Sequence, residues 1–193
     1  MITDLNFNAE STTRMKVVVT FMRMFSPPPH APLALPEGWH VQEHLRPDVA
    51  GYRLLQDRVG RDYCWWMRQA ASDATLARFL ETAPVNIGLL RQKQQIRGFF
   101  ELDLADPQSV NLSYFGLFPE AIGQGVGRAF LDNVLRLAWQ GGPQSVRVNT
   151  CTADHPRALA LYQQAGFKIM RRVQEVWDVP DRLGIPVPQH LRV

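Results

Sequence analysis

The stretch from Ser109 to Trp139 constrains the fold most. "SVNLSYFGL" reads as a strand, "FPEAIGQGVG" carries glycines at 123, 125 and 127, and "RAFLDNVLRLAW" has helical spacing. Three glycines in five residues cost more backbone entropy than a helix start requires. A strand that feeds a glycine-rich turn and then a helix N-terminus gathers unpaired N–H groups and partial positive charge at one point. That is an anion site suited to a phosphate or pyrophosphate. Tight packing of the turn is the alternative for so short a motif. There is no Gly-Lys-Ser/Thr, so this is not a P-loop. The G-x-G-x-G spacing, with no acidic residue about 20 positions on at a second strand end, argues against a dinucleotide fold.

The flanking order points the same way. "VNIGLL", "QIRGFFELDL" and "SVNLSYFGL" are separated by the short polar links "RQKQ" and "ADPQ", which predicts antiparallel hairpins. Upstream, "MKVVVTFMRM" from Met15 and "GWHVQEHL" from Gly38 read as strands. Pro47 and Asp48 open a helix to about Val59, and Ser72 caps "DATLARFLET". Downstream, Val126, Phe130, Val134 and Leu137 form one apolar stripe, and Gly141 is expected in the left-handed conformation that ends this helix before Pro143. "SVRVNTC", "HPRALALYQQA" and "FKIMRRVQEVWDV" then read as strand, helix and strand. The sum is an α/β (α+β mixed) chain: a central mixed, mostly antiparallel twisted sheet flanked by helices, without strict strand–helix alternation.

A chain of 193 residues suits one full-sized core. A net charge of +3 with no run of like charges indicates neither nucleic acid nor membrane binding, though it favours an anionic ligand. Cys64 and Cys151 have no metal-ligand spacing and form no disulfide framework, so no metal is expected and a cytoplasmic setting is preferred. No apolar run is long enough to span a bilayer. Residues 1–14 are expected as a flexible tail. Residues 15–38 read as an extra strand and a Pro-rich linker, 39–178 as the main domain, and 179–193 as a Pro-rich C-terminal tail.

In "DHPRALALYQQAGFK", His155 and Pro156 suit a helix start. Gly166 is placed to end the helix, so that Phe167 packs back on Tyr162 or Leu161 and fixes the Tyr162 ring. Taken alone, Tyr162 is a half-buried core aromatic. Taken with the glycine loop, the segment resembles the GNAT superfamily of N-acetyltransferases. The family has a loop R/Q-x-x-G-x-G/A after its fourth strand and a later N-x-x-A-x-x-L-Y-x-x-x-G-F helix. Gly125 and Gly127 match the loop, and Ala158, Leu161, Tyr162, Gly166 and Phe167 match the helix in register. The resemblance covers residues 39–177. Ile122 stands where Arg or Gln is usual, and His155 where Asn is usual.

The resemblance implies acetyl-CoA as co-substrate, lying where the fourth and fifth strands splay. Its pyrophosphate is expected at Gly123, Gln124, Gly125, Val126, Gly127 and Arg128, its pantetheine along Phe115, Leu117 and Phe118, with His155 donating to a cofactor amide. An acceptor amine attacks directly, stabilised by a fixed amide dipole. Tyr162 is implied as the acid for the leaving thiolate. Glu101, sharing a strand face with Phe99 and Asp103, is the candidate base, against the alternatives of a solvated face or an arginine pair. Tyr63, Trp65, Trp66 and Arg68 are candidates for the acceptor pocket, against plain core packing. A catalytically silent acyl-CoA-binding sensor or interaction module is the competing reading. The strand from Met15 either completes the sheet or pairs across a homodimer.

Overall fold

The computed structural model describes residues 10–193. Seven strands form one sheet: β1 (Thr12–Met24), β2 (Trp39–Leu45), β3 (Val85–Gln92), β4 (Gln95–Asp103), β5 (Ser109–Leu117), β6 (Ser145–Cys151) and β7 (Lys168–Pro180). Their order is β2-β3-β4-β5-β6-β1-β7. Every neighbouring pair is antiparallel except β5 and β6, which run parallel. The expected meander β3-β4-β5 is present because its connections are too short for any other pairing. Five helices flank the sheet: α1 (Val49–Gly60), α2 (Met67–Ala70), α3 (Asp73–Thr82), α4 (Gly127–Trp139) and α5 (Ala158–Gln164). Asp48 caps α1 through the Gly51 amide at 2.7 Å, and Ser72 caps α3 through that of Thr75 at 3.2 Å.

Strand alternation sorts the core. Phe100 and Leu102 of β4 face α4 and α5, packing with Phe130, Val134 and Tyr162. Phe99 and Glu101 face the other way, towards α1 and α2, where Phe99 packs with Leu55 and Val59 and Glu101 meets Tyr52.

The terminal segments depart from expectation. β1 begins at Thr12, so residues 12–14, expected in the tail, are strand, and Arg14 pairs with Asp178 at 3.0 Å. Residues 1–9 of that expected tail lie outside the described residues. Of the two alternatives for this strand, β1 completes the sheet: it sits between β6 and β7, with Met15, Val17 and Val19 buried. The expected C-terminal tail is similarly anchored. Val179 and Pro180 belong to β7, Val187 and Leu191 are buried, and Arg192 bridges to Met15 on the edge of β1 that β6 leaves uncovered.

The Pro-rich segment before β2 is a strap across α4. The Leu33 amide donates to Asp132 at 2.9 Å, and Arg136 donates to the His30 carbonyl at 2.7 Å. Helix α4 is therefore buried on two flanks, including Leu131 and Leu135 beyond the expected stripe. It also ends one residue later than expected: Gln140 is still right-handed helical, and Gly142, not Gly141, takes the positive φ of 66°. Among the described residues, no helix is long and apolar enough to cross a membrane.

Candidate active site

β5 and β6 pair only from Ser109–Ser145 to Leu112–Val148. Beyond this their ends separate, because Ser113 is bulged out of the β4 ladder and re-aims the second half of β5. The Phe118 amide donates to the Arg97 carbonyl at 2.8 Å, which puts Gly116 and Tyr114 in the same hydrogen-bonding phase towards β4. The polar backbone of Phe115 and Leu117 therefore faces the gap. Phe118, expected with them along the pantetheine, is turned away: its amide is spent on β4, and its ring packs in the α1 core under Arg58.

The glycine loop closes one end of the gap. Gly123 and Gly125 have φ of 85° and 75°, a region that L side chains avoid. A Cβ at either would meet nothing within 4 Å. Among the described residues no atom explains the two glycines by packing, so the space they keep clear of these residues is open. Their amides take no backbone carbonyl, nor does that of Val126, and the first amide of α4 to do so is that of Phe130, on Val126 at 2.9 Å. The donors of the first turn thus point outward, with the helix dipole behind them. The Val126 side chain itself is core, and Gln124 donates to the Glu120 carbonyl at 2.6 Å, tying the loop down. Arg128 borders a shallow groove between α4 and α5. Ile122 is 41% exposed where a polar contact was usual.

Tyr162 approaches from α5. Gly166 takes φ of 106°, and the Phe167 amide donates back to the Tyr162 carbonyl at 3.1 Å, the Schellman ending that the sequence called for. The Tyr162 ring is held edge-on between Phe167, at 5.8 Å, and Phe115, at 6.5 Å. Burial, helped by the charge of Asp154, pushes its phenol well above the usual tyrosine range, so it stays protonated. His155 uses Nδ1 to accept the Arg157 amide at 3.1 Å and stands edge-on to Tyr63 at 6.0 Å.

Glu101 is placed otherwise than a solvent-facing base. It is 0% exposed, with one oxygen accepting from the Tyr52 hydroxyl and the other from Arg68 at 2.8 Å. Gln56 donates to the Tyr52 oxygen at 3.0 Å. Arg68 is clamped over the Phe79 ring at 3.8 Å. Of the expected acceptor group, Arg68 is therefore engaged in this buried pair, and Trp66 is buried against Met15 and Val17. Tyr63 stays part-exposed near His155.

One residue the sequence reading missed stands at the mouth of the gap. Asp154 accepts from Thr150 at 2.7 Å and from the Cys151 amide at 2.8 Å, so its carboxylate caps the end of β6. Its other oxygen accepts from Trp65 Nε1 at 3.1 Å. Trp65 packs on Tyr114 of β5 at 5.0 Å. The Trp65–Asp154 bond thus spans from the β5 side to the β6 side on the α1 face of the sheet, opposite the Phe115–Tyr162 contact. The readable signal was the spacing Cys151-x-x-Asp154, a side chain folding back on its own strand end.

Solved structures of the same fold put this geometry in context. A GCN5-related N-acetyltransferase from Sphaerobacter thermophilus matches with a TM-score of 0.62 at 16% identity, over 90% of this chain and 54% of that one. A tandem GNAT protein from the clavulanic acid biosynthesis pathway matches at 0.59 and 14% identity, over 88% and 55%. An aminoglycoside acetyltransferase from an uncultured soil metagenomic sample matches at 0.54 and 12% identity, over 67% and 88%. The chain spans about half the length of the first two. No curated protein matches it in sequence. The model of the acetyltransferase (GNAT) family, which uses acetyl-CoA as co-substrate, matches residues 41–167. With that match over most of its length and this fold, the chain belongs to the GNAT acetyltransferase family.

Proposed function

We propose that the chain moves the acetyl group of acetyl-CoA directly to an amine. The observation that carries this reading is Tyr162: a protonated phenol, held by Phe115 and Phe167 beside the splayed end of β5. Acetyl-CoA supplies an activated thioester carbonyl. The residues present fit it. Gly123 and Gly125 leave a cradle that a side chain would narrow, and the amides of Gly123, Gly125, Val126, Gly127 and Arg128 are suited to a pyrophosphate, that of Gln124 being spent on the Ala121 carbonyl at 3.3 Å. The Phe115 and Leu117 backbone faces the gap in the phase needed to pair with an extended amide chain. A fixed N–H there stabilises developing negative charge on the carbonyl oxygen at no reorganisation cost. Tyr162 donates its proton to the departing sulfur. Glu101 is assigned to the scaffold: its pair with Arg68 anchors the segment after α1 to β4.

The acceptor class is a proposal too, since the solved neighbours include an aminoglycoside acetyltransferase at only 12% identity. Exposed Ile122 favours one second reading, a domain that binds acyl-CoA without turnover. Two measurements test the proposal together. Acetyl-CoA should raise the melting temperature by ligand linkage, and a panel of amines should include at least one that releases thiol from acetyl-CoA. Stabilisation without thiol release from any amine supports the sensor instead. No stabilisation overturns both.

A further inference from the structure

Asp154 differs from the other carboxylates near the gap. Glu101 is neutralised by Arg68 and Glu120 by Arg58. Among the described residues Asp154 forms no ion pair, and its three partners there, Trp65, Thr150 and the Cys151 amide, are all neutral donors. They fix its position but leave its charge uncompensated. It is only partly buried, so one side is open to solvent. Burial raises the pKa of Tyr162, Tyr63 and Cys151, and the charge of Asp154 adds to each, after that of Asp62 for Tyr63, which puts the carboxylate near groups from α5, the turn after α1, and β6. Trp65 meets it edge-on through Nε1, and Tyr63 stands beside the neighbouring His155. A carboxylate held in place by neutral donors, with no counter-charge among the described residues, is suited to select a cation.

We infer that Asp154 is the acceptor-recognition residue, which binds the ammonium group of a primary amine at the mouth of the β5–β6 gap and takes its proton. This rests on the acetyltransferase reading. The step balances simply: one N–H bond of the ammonium breaks, the proton passes to a carboxylate oxygen, and the neutral amine is left with its lone pair free. The carboxylic acid returns the proton to solvent after the acceptor leaves.

Benzylammonium and its neutral isostere benzyl alcohol are the probes, titrated against the full chain with CoA present and followed by tryptophan fluorescence and calorimetry. The expected result is saturable binding of benzylammonium, at least tenfold tighter than the alcohol. In Asp154→Asn that preference should disappear while acetyl-CoA still raises the melting temperature as in wild type. Asp154→Glu, which keeps the charge, should restore part of it and guards against a folding defect in the amide variant. Equal binding of the two probes by wild type, no saturable binding of benzylammonium, or a preference that survives in Asp154→Asn would each overturn the inference. Failure of acetyl-CoA to stabilise the wild type overturns the cofactor reading separately, whatever the probes do.

Discussion

Replacing Arg68 with methionine leaves Glu101 buried with its charge uncompensated. The carboxylate is 0% exposed and the guanidinium 14%, so water cannot take over the lost partner without opening the α1–α2 packing. Removing one member of a buried ion pair costs about 3–5 kcal/mol. Loss of the stack on Phe79, at 3.8 Å, pushes towards the upper end, and methionine's own packing offsets a part. For a chain of this size a kcal/mol corresponds to about 2–4 °C, so the melting temperature should fall by roughly 6–20 °C. The double variant Arg68→Met/Glu101→Gln removes the stranded charge while keeping an acceptor for the Tyr52 hydroxyl, and it should regain more than half of the loss. Chemical denaturation gives both values. A single variant within about 0.5 kcal/mol of wild type, the range of ordinary surface changes, would show that Arg68 does not neutralise Glu101. A Glu101→Gln variant of wild-type stability with no turnover would return Glu101 to the role of base.

Other outcomes follow from the same geometry. Tyr162→Phe should keep acetyl-CoA affinity and lose turnover by roughly 10²–10⁴-fold, nearer the low end because a thiolate leaves readily; equal steady-state rates would make Tyr162 a packing residue. Gly125→Val puts a β-branched side chain at a φ of 75° and into the open cradle, so stabilisation by acetyl-CoA should vanish in thermal shift, and an unchanged affinity would refute the cradle. The Cys151 thiol, pushed up to about 12 by burial and then by Asp154, should react with iodoacetamide at pH 8 roughly 10³-fold more slowly than a free cysteine, and faster in Asp154→Asn. Burial also raises the phenols of Tyr52, Tyr114 and Tyr162. Each group's folded pKa lies above its unfolded one, so its contribution is intact below the unfolded pKa and is lost as pH rises towards the folded value. The melting temperature should hold to about pH 8.5 and decline above it.

Features carried by local signals were legible in the sequence. Ser72 and Asp48 announced their helices, short polar links fixed the meander, and Gly166 with Phe167 fixed the helix end under Tyr162. The glycine loop was legible because positive φ and an unfilled Cβ position are properties of a few consecutive residues. Long-range packing was not. Nothing in "MKVVVTFMRM" says that it pairs with both Asn149 and Arg171 at Phe21. The sequence leaves Glu101 open between a base, a solvated face and an arginine pair, because its partners come from residues 33 and 49 positions away. Asp154 is missed because its significance depends on Trp65, 89 positions distant.

The central place of β1 has a consequence for biogenesis. Both of its neighbours, β6 and β7, are translated long after it. At typical elongation rates the roughly 150 residues that separate β1 from the end of β7 take on the order of 10–30 s to appear. During that interval "VVVTFM" emerges from the ribosome as an apolar segment with both edges unsatisfied, prone to pairing with other nascent chains. The meander and α1 are able to collapse early, whereas the half of the sheet holding β6, β1 and β7 closes last. Newly made chains should therefore depend on chaperone protection of this one segment, and stalling between residues 151 and 168 should trap the most aggregation-prone form.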